Sequence, residues 1–193
     1  MELGNDVDHV LSGRTVQGPI SARVIGEHGR GAVEYFRVER WTSIGATLSK
    51  AICAQGAVIP CSNQAAKYVR TVQPLRGANK GSPLFAVAAS ASLAYLSAHP
   101  EIREALQRMT SYFRTRLREI GIDSIDSPAP IVSFRVGTRK DMLALHRRLF
   151  LDGFFLTRSA YLGAGPDGIL RCAVYRDHST NDIDALVSAL ARL

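Results

Sequence analysis

Apolar residues recur through the second half of the chain in steps of three and four. After Pro100 come Ile102, Leu106, Met109, Phe113, Leu117 and Ile120, a spacing that sets one apolar stripe on one helical face. Pro100 suits a first helical turn, where its missing N–H costs nothing, and Gly121 suits the helix end. Ile183, Leu186, Val187 and Leu190 form a second stripe. Ser179 with Asp182 three residues on has the spacing of a capping box and marks its start. Between these helices the pattern predicts strands over 131–136, 154–158 and 169–174, and a helix over 140–151 that ends at Gly153. Alternating strands and helices of this kind make a small two-layer α/β unit. The turn-rich Asp126-Ser127-Pro128-Ala129-Pro130 places a boundary at or slightly before its first strand.

The first half is less periodic. Residues 1 to about 40 read as irregular, with turn signals at Ser12-Gly13 and Gly18-Pro19. The Gly-rich Gly26-Glu27-His28-Gly29-Arg30-Gly31 precedes a short apolar run over 32–36. Two strand-like pieces, 41–44 and 56–59, flank a tight polar turn, Thr47-Leu48-Ser49-Lys50. A helix follows from Ser62 as N-cap to Val72. The run 84–98 is dominated by alanine and serine among apolar residues, which predicts a closely packed, buried helix.

Composition narrows the class. The chain has 193 residues, 46% hydrophobic and 21% charged, with 16 Gly and 8 Pro. That usage excludes disordered, collagen-like and coiled-coil chains. Twenty-four Lys and Arg against 17 Asp and Glu leave a formal charge of +7. The basic residues form no block, so an anionic small molecule fits them as well as nucleic acid does, and no nucleic-acid partner is expected. No apolar run is long enough to span a bilayer, and the first residues carry acids where a signal peptide is basic. Cys53, Cys61 and Cys172 show no metal spacing, and their odd number suits a reducing compartment. A soluble, cytoplasmic protein without a metal site is expected.

Lys50 is the sharpest chemical feature. A lysine in a tight turn beside Thr47 and Ser49, between apolar strands, is placed to be partly desolvated, which frees its amine for Schiff-base chemistry. The hydroxyls and nearby N–H groups of the turn can hold a phosphate. On residue chemistry alone, a solvated lysine in a β-turn is the commoner case. Arg171 is likewise readable as a carboxylate ligand or as a strand arginine in an ordinary salt bridge.

The stretch Gly45-Ala46-Thr47-Leu48-Ser49-Lys50-Ala51, with Gly56 opening the next strand, resembles the cofactor-lysine segment of the α-oxoamine synthases. These are pyridoxal-phosphate (PLP) enzymes of fold type I in the aminotransferase class I/II superfamily. The Gly26–Gly31 segment, Pro130-Ile131-Val132, and Leu170-Arg171-Cys172 with His178-Ser179 resemble further landmarks of the same family, in the same order, over about residues 23–193. The resemblance implies an α/β fold: a partial PLP-binding large domain over 1–95, a connecting helix over 96–121 and a small C-terminal domain over 122–193. It implies PLP as cofactor, Lys50 as internal-aldimine partner and catalytic residue, Thr47 and Ser49 at the cofactor phosphate, and Arg171 on the carboxylate of an amino-acid substrate. The implied reaction joins an amino acid and an acyl thioester into an aminoketone, in a homodimer or with a complementing chain. An aminotransferase of the same fold and a non-catalytic homologue are the alternatives. His178 reads as a local contact at a helix start. Asn79 and Ser82 lie where the family reaches a partner subunit's phosphate.

Two departures bear on that expectation. Where the family carries an acid that pairs with the cofactor's ring nitrogen, this chain reads Gln17-Gly18-Pro19-Ile20. The family's stacking residue, its Gly-rich phosphate turn and most of its parallel sheet have no counterpart in the 193 residues. The isolated chain is accordingly expected to expose apolar surface along 84–98 and to self-associate.

Overall fold

The computed structural model describes residues 14–17, 28–29, 31–37, 42–72, 81–160 and 164–192. The chain divides into two compact units, residues 1–100 and 101–193.

In the first unit, β1 (Arg14–Gln17) pairs in parallel with β2 (Thr42–Thr47), and β2 pairs antiparallel with the short β3 (Ala57–Val58). The region expected to be irregular therefore contributes a strand. Four residues between glycines carry too little local pattern to announce it; the ladder with β2 (Arg14 opposite Thr42 through Gln17 opposite Gly45) defines it. One turn of helix, α1 (Ala32–Tyr35), occupies the apolar run after the Gly-rich segment. Helix α2 (Asn63–Val69) is capped by Ser62, whose side chain accepts from the Ala65 N–H at 3.2 Å. Helix α3 (Pro83–Ala98) follows. The expectation that α3 is buried fails: Ala89 is its one buried residue among those described, while Leu84 and Val87 are 71% and 67% exposed. Its apolar residues run round the whole helix, and among the described residues an apolar partner meets only one side. That side carries a small core in which Ala89 meets Ile52 and Ala54, with Leu48, Ala51 and Leu93 packed against them.

The second unit is built on a three-stranded antiparallel sheet in the order β4 (Ile131–Phe134), β6 (Ile169–Ala173), β5 (Thr157–Ser159). Val132 lies opposite Cys172 and Phe134 opposite Leu170, so these four buried residues share one face, while the buried Ile169 falls on the other. Three helices cover the face that carries those four. From α4 (Pro100–Glu119) come Phe113 and Leu117; from α5 (Arg139–Leu151), Met142, Leu145 and Leu149; from α6 (Thr180–Leu190), Ile183, Leu186, Val187 and Leu190. Helix α4 carries Glu101 in its first turn and Arg116 and Arg118 in its last, the arrangement its dipole favours. It ends at Gly121 (φ +76°), with the Ile122 N–H returning to the Leu117 carbonyl. A left-handed C′ glycine is the usual way to close such a turn.

Helix α6 has the expected capping box between Ser179 and Asp182, and α5 has a second one between Thr138 and Asp141. Strand β5 starts three residues later than the apolar run suggests. The Phe154 N–H is tied back to the Leu149 carbonyl at 2.8 Å, closing α5, and Phe155 stands 83% exposed. Helix stop and strand start compete for these residues, and the helix stop prevails. Among the described residues, no helix is long and apolar enough to cross a membrane.

Candidate functional site: the lysine loop and the β6 arginine

Strand β2 runs through Thr47, and the chain returns on β3 at Ala57, directly opposite. The intervening loop is closed by its own backbone. The Leu48 N–H donates to the Gly56 carbonyl at 2.9 Å, the Ala54 N–H to the Leu48 carbonyl at 3.0 Å, and the Cys53 N–H to the Lys50 carbonyl at 2.9 Å. The Cys53 thiol adds a 3.4 Å contact to that same carbonyl. The loop runs from 48 to 56 and so is wider than the four-residue turn expected over Thr47–Lys50, whose first residue is still paired in β2.

Two conformations in the loop demand positive φ: Gly56 at +102° and Cys53 at +53°. Glycine adopts such angles freely, whereas a side-chain-bearing residue there costs about 1 kcal/mol or more. Cys53 is held in this state by the two bonds to the Lys50 carbonyl and by its neighbours Ile52 and Ala54, which are fully or almost fully buried. It is a positioning residue that sequence reading misses, since nothing in the composition of a Cys announces a left-handed backbone.

Inward anchoring of Ile52 and Ala54 turns Lys50 outward. Lys50 and Ser49 are exposed and Thr47 is half-buried, so the expected partial desolvation of the amine is not found. The Thr47 and Ser49 hydroxyls share a 2.9 Å hydrogen bond, and the Ser49 N–H lies 3.4 Å from the Thr47 oxygen. Thr47 also donates to the Gly56 carbonyl at 3.5 Å. Two hydroxyls and an amine thus stand within four consecutive residues on one loop, with no carboxylate among the loop residues. Beside the loop, a groove of about 440 Å³ is lined by Leu48, Gln55, Ala57, Ser82, Phe85 and Ala86. Ser82 is the N-cap of α3 but makes no side-chain capping bond. Asn79 lies outside the described residues, as do Gly18 to Ile20 and Arg30.

Arg171 belongs to the second unit. It is the half-buried middle residue of β6, opposite Ser133 of β4 and Thr157 of β5, between the buried Leu170 and Cys172. It lines a cavity of about 660 Å³ together with Phe154, Phe155, Tyr175 and His178. His178 Nδ1 accepts from the Tyr175 N–H at 3.3 Å, and the two rings meet edge-on at 5.3 Å. That is a local contact at a helix start. Burial pushes the Cys172 thiol up to about 12, which leaves it inert at neutral pH. All three cysteines are free.

The structure thus gathers Thr47, Ser49 and Lys50 on one loop and carries Arg171 on a separate unit. The donor set of the loop suits a phosphorylated aldehyde at two of its ends: hydroxyls and an N–H for the phosphate, a primary amine for the carbonyl carbon.

Comparison with known proteins gives the same assignment of lineage. The 8-amino-7-oxononanoate synthase of Geobacter sulfurreducens is 30% identical over 177 residues, covering 88% of this chain and 45% of its own length. The chain therefore spans about half the length of the curated relatives it matches. The crystal structure of the 8-amino-7-oxononanoate synthase of Francisella tularensis superposes with a TM-score of 0.79 at 20% identity, over 92% of this chain and 53% of that one. A serine palmitoyltransferase solved with its PLP internal aldimine gives 0.80 at 18% identity, over 92% and 46%. The mixed helix and sheet architecture is that of the PLP-dependent transferases of fold type I. The family profile described as aminotransferase class I and II matches residues 24–190, and the chain belongs to that family.

Proposed function

We propose that this chain carries the lysine segment and the C-terminal domain of a PLP-dependent acyltransferase of the α-oxoamine synthase type, which joins an amino acid and an acyl thioester into an aminoketone. The observation that carries this reading is the lysine loop: an exposed amine one and three residues after a pair of hydrogen-bonded hydroxyls, on a turn fixed by its own backbone. In this reading, residues 1–95 are the partial large domain, 96–121 connect, and 122–193 are the small domain. The protein works in the cytoplasm as a homodimer or with a complementing chain. The relatives named as synthases favour acyl transfer over the aminotransferase alternative.

Each residue has a defined task. Lys50 Nζ would hold the cofactor's carbonyl carbon and, when not bonded to it, would carry a proton at that nitrogen. Thr47 Oγ1, Ser49 Oγ and the loop N–H groups hold the phosphate. Arg171 offers a planar fork of donors that matches a carboxylate bidentately and orients the amino acid. When bound, PLP supplies a conjugated ring that withdraws electrons from the substrate's α-carbon. Mixing the full chain with PLP, reducing with borohydride and mapping the labelled peptide tests this. Label concentrated on Lys50, and absent in Lys50→Ala, is expected. Label spread evenly over surface lysines would refute the assignment.

A further inference from the structure

The strands that carry Lys50 offer a cofactor ring no carboxylate. From Trp41 to Pro100 the sequence contains no Asp and no Glu, while Lys50, Lys67, Arg70, Arg76 and Lys80 supply five cations. Among the described residues of the first unit, Glu34 is the one acid. It is engaged by His28: the His28 N–H donates to it at 3.0 Å, and Nδ1 lies 2.7 Å from the same oxygen. The resemblance to the α-oxoamine synthases implies an acid for the ring nitrogen at the position that Gln17 occupies. Strands β1 and β2 are parallel, with Gln17 opposite Gly45, two residues before Thr47. The carboxyl end of β1 therefore lies at the same sheet end as the lysine loop, the end at which parallel strands present ligand-binding residues. The residue there is Gln17, a neutral amide.

We propose that the Lys50 site holds PLP without a charged partner for its ring nitrogen, since the carboxyl end of β1, at the sheet end of the lysine loop, carries the neutral Gln17 and not a carboxylate. The inference rests on the reading of Lys50 as the cofactor lysine and goes beyond it to the electronic state of the ring. An amide does not hold a pyridine nitrogen in its cationic form as a carboxylate does. A neutral ring withdraws electrons less than a protonated one, so any withdrawal from the substrate's α-carbon at this site proceeds without the charge that a carboxylate partner maintains.

The test compares PLP with its 1-deaza analogue, in which CH replaces the ring nitrogen. Both are titrated against the full chain, with hydride reduction as the readout. In the capture, Nζ adds to the aldehyde carbon, the aldehyde oxygen leaves as water, and borohydride delivers hydride to the resulting C=N carbon, fixing the label at Lys50. The two aldehydes are expected to half-saturate Lys50 at concentrations within about threefold of each other, since no charge-assisted bond to nitrogen is lost in the analogue. Gln17→Asp is expected to create a preference for PLP of about tenfold or more, the size of one charge-assisted hydrogen bond. A wild-type preference for PLP of that size would overturn the inference, and so would a Gln17→Asp variant, labelled at Lys50, that does not distinguish the two. If neither aldehyde labels Lys50, the cofactor assignment itself falls, and the inference with it. Labelling by both, but unequally, removes the inference alone.

Discussion

The two units solve the problem of burial differently. In the second, seventeen buried residues from three helices, two strands and the connections beside them meet in one core, and both short helices on the sheet begin with a capping box. In the first, the described core is Ile52, Ala54 and Ala89 with a few half-buried neighbours, and it sits directly behind the lysine loop. Helix α3 shows the contrast most clearly. It is apolar round its whole circumference, a composition found in helices with neighbours on every side. Yet Leu84, Val87 and Tyr95 are exposed. The second unit is finished by its own sequence, whereas the first carries apolar surface with the chemistry of an interface.

The sharpest way to break the comparison is to remove one large side chain from the finished core. Phe134→Ala deletes a fully buried ring where β4 meets β6, and a loss of about 3–5 kcal/mol in urea unfolding of the second unit is expected. A loss under about 1 kcal/mol would mean that this core is loosely packed. On α3 the expectation reverses. Leu84→Ser with Val87→Ser should leave unfolding within about 0.5 kcal/mol of the parent. The same pair should lower the binding of a hydrophobic dye and shift sedimentation towards the monomer. Unchanged sedimentation would remove α3 from the self-association surface.

The caps give a smaller effect. Ser179→Ala removes the side chain that accepts the Asp182 N–H at 3.2 Å, and about 1 kcal/mol should be lost. Acid pH acts on the same contacts. Hydrogen bonds from Ser179 hold the Asp182 carboxyl below its usual value, and those from Thr138 do the same for Asp141. Asp184 is held low by the Arg116 guanidinium and then by the Tyr112 hydroxyl. A carboxylate with a lowered pKa in the folded state takes up its proton first in the unfolded chain. These groups therefore stabilise the fold above the ordinary Asp range, near about pH 4, and lose that contribution as the pH falls through their folded values. A circular-dichroism titration should show the second unit weakening only in this acidic window, and Asp182→Asn should flatten the dependence.

The smallest effect is expected in the lysine loop. Cys53→Gly relieves the left-handed backbone at +53° but frees the unfolded chain and loses the thiol contact, so the net change should stay within about 1 kcal/mol. Reductive labelling of Lys50 should nevertheless weaken in this variant, because the carbonyl of Lys50 loses a partner. Full labelling would show that Cys53 does not position the lysine.

What the sequence determined by itself is what short-range patterns encode. The stripe from Ile102 to Ile120, the stop at Gly121, the cap at Ser62 and the capping box at Ser179 each depend on residues within one or two helical turns, and each stands as read. The cluster Thr47, Ser49, Lys50 was equally legible, because three side chains on adjacent residues of a turn need no distant partner to come together. Tertiary structure alone decided the rest. Strand β1 exists through its ladder with β2, β5 begins where the end of α5 releases the chain, and Lys50 faces outward because Ile52 and Ala54 are drawn onto Ala89. The apolar surface that α3 exposes was expected from the family segments without a counterpart here, whereas the run itself, which states only what a helix can bury, suggested a buried helix. Periodicity and capping are local free energies, fixed within a few residues. Pairing and burial depend on which surfaces meet, and that is settled only when distant segments compete for the same partner.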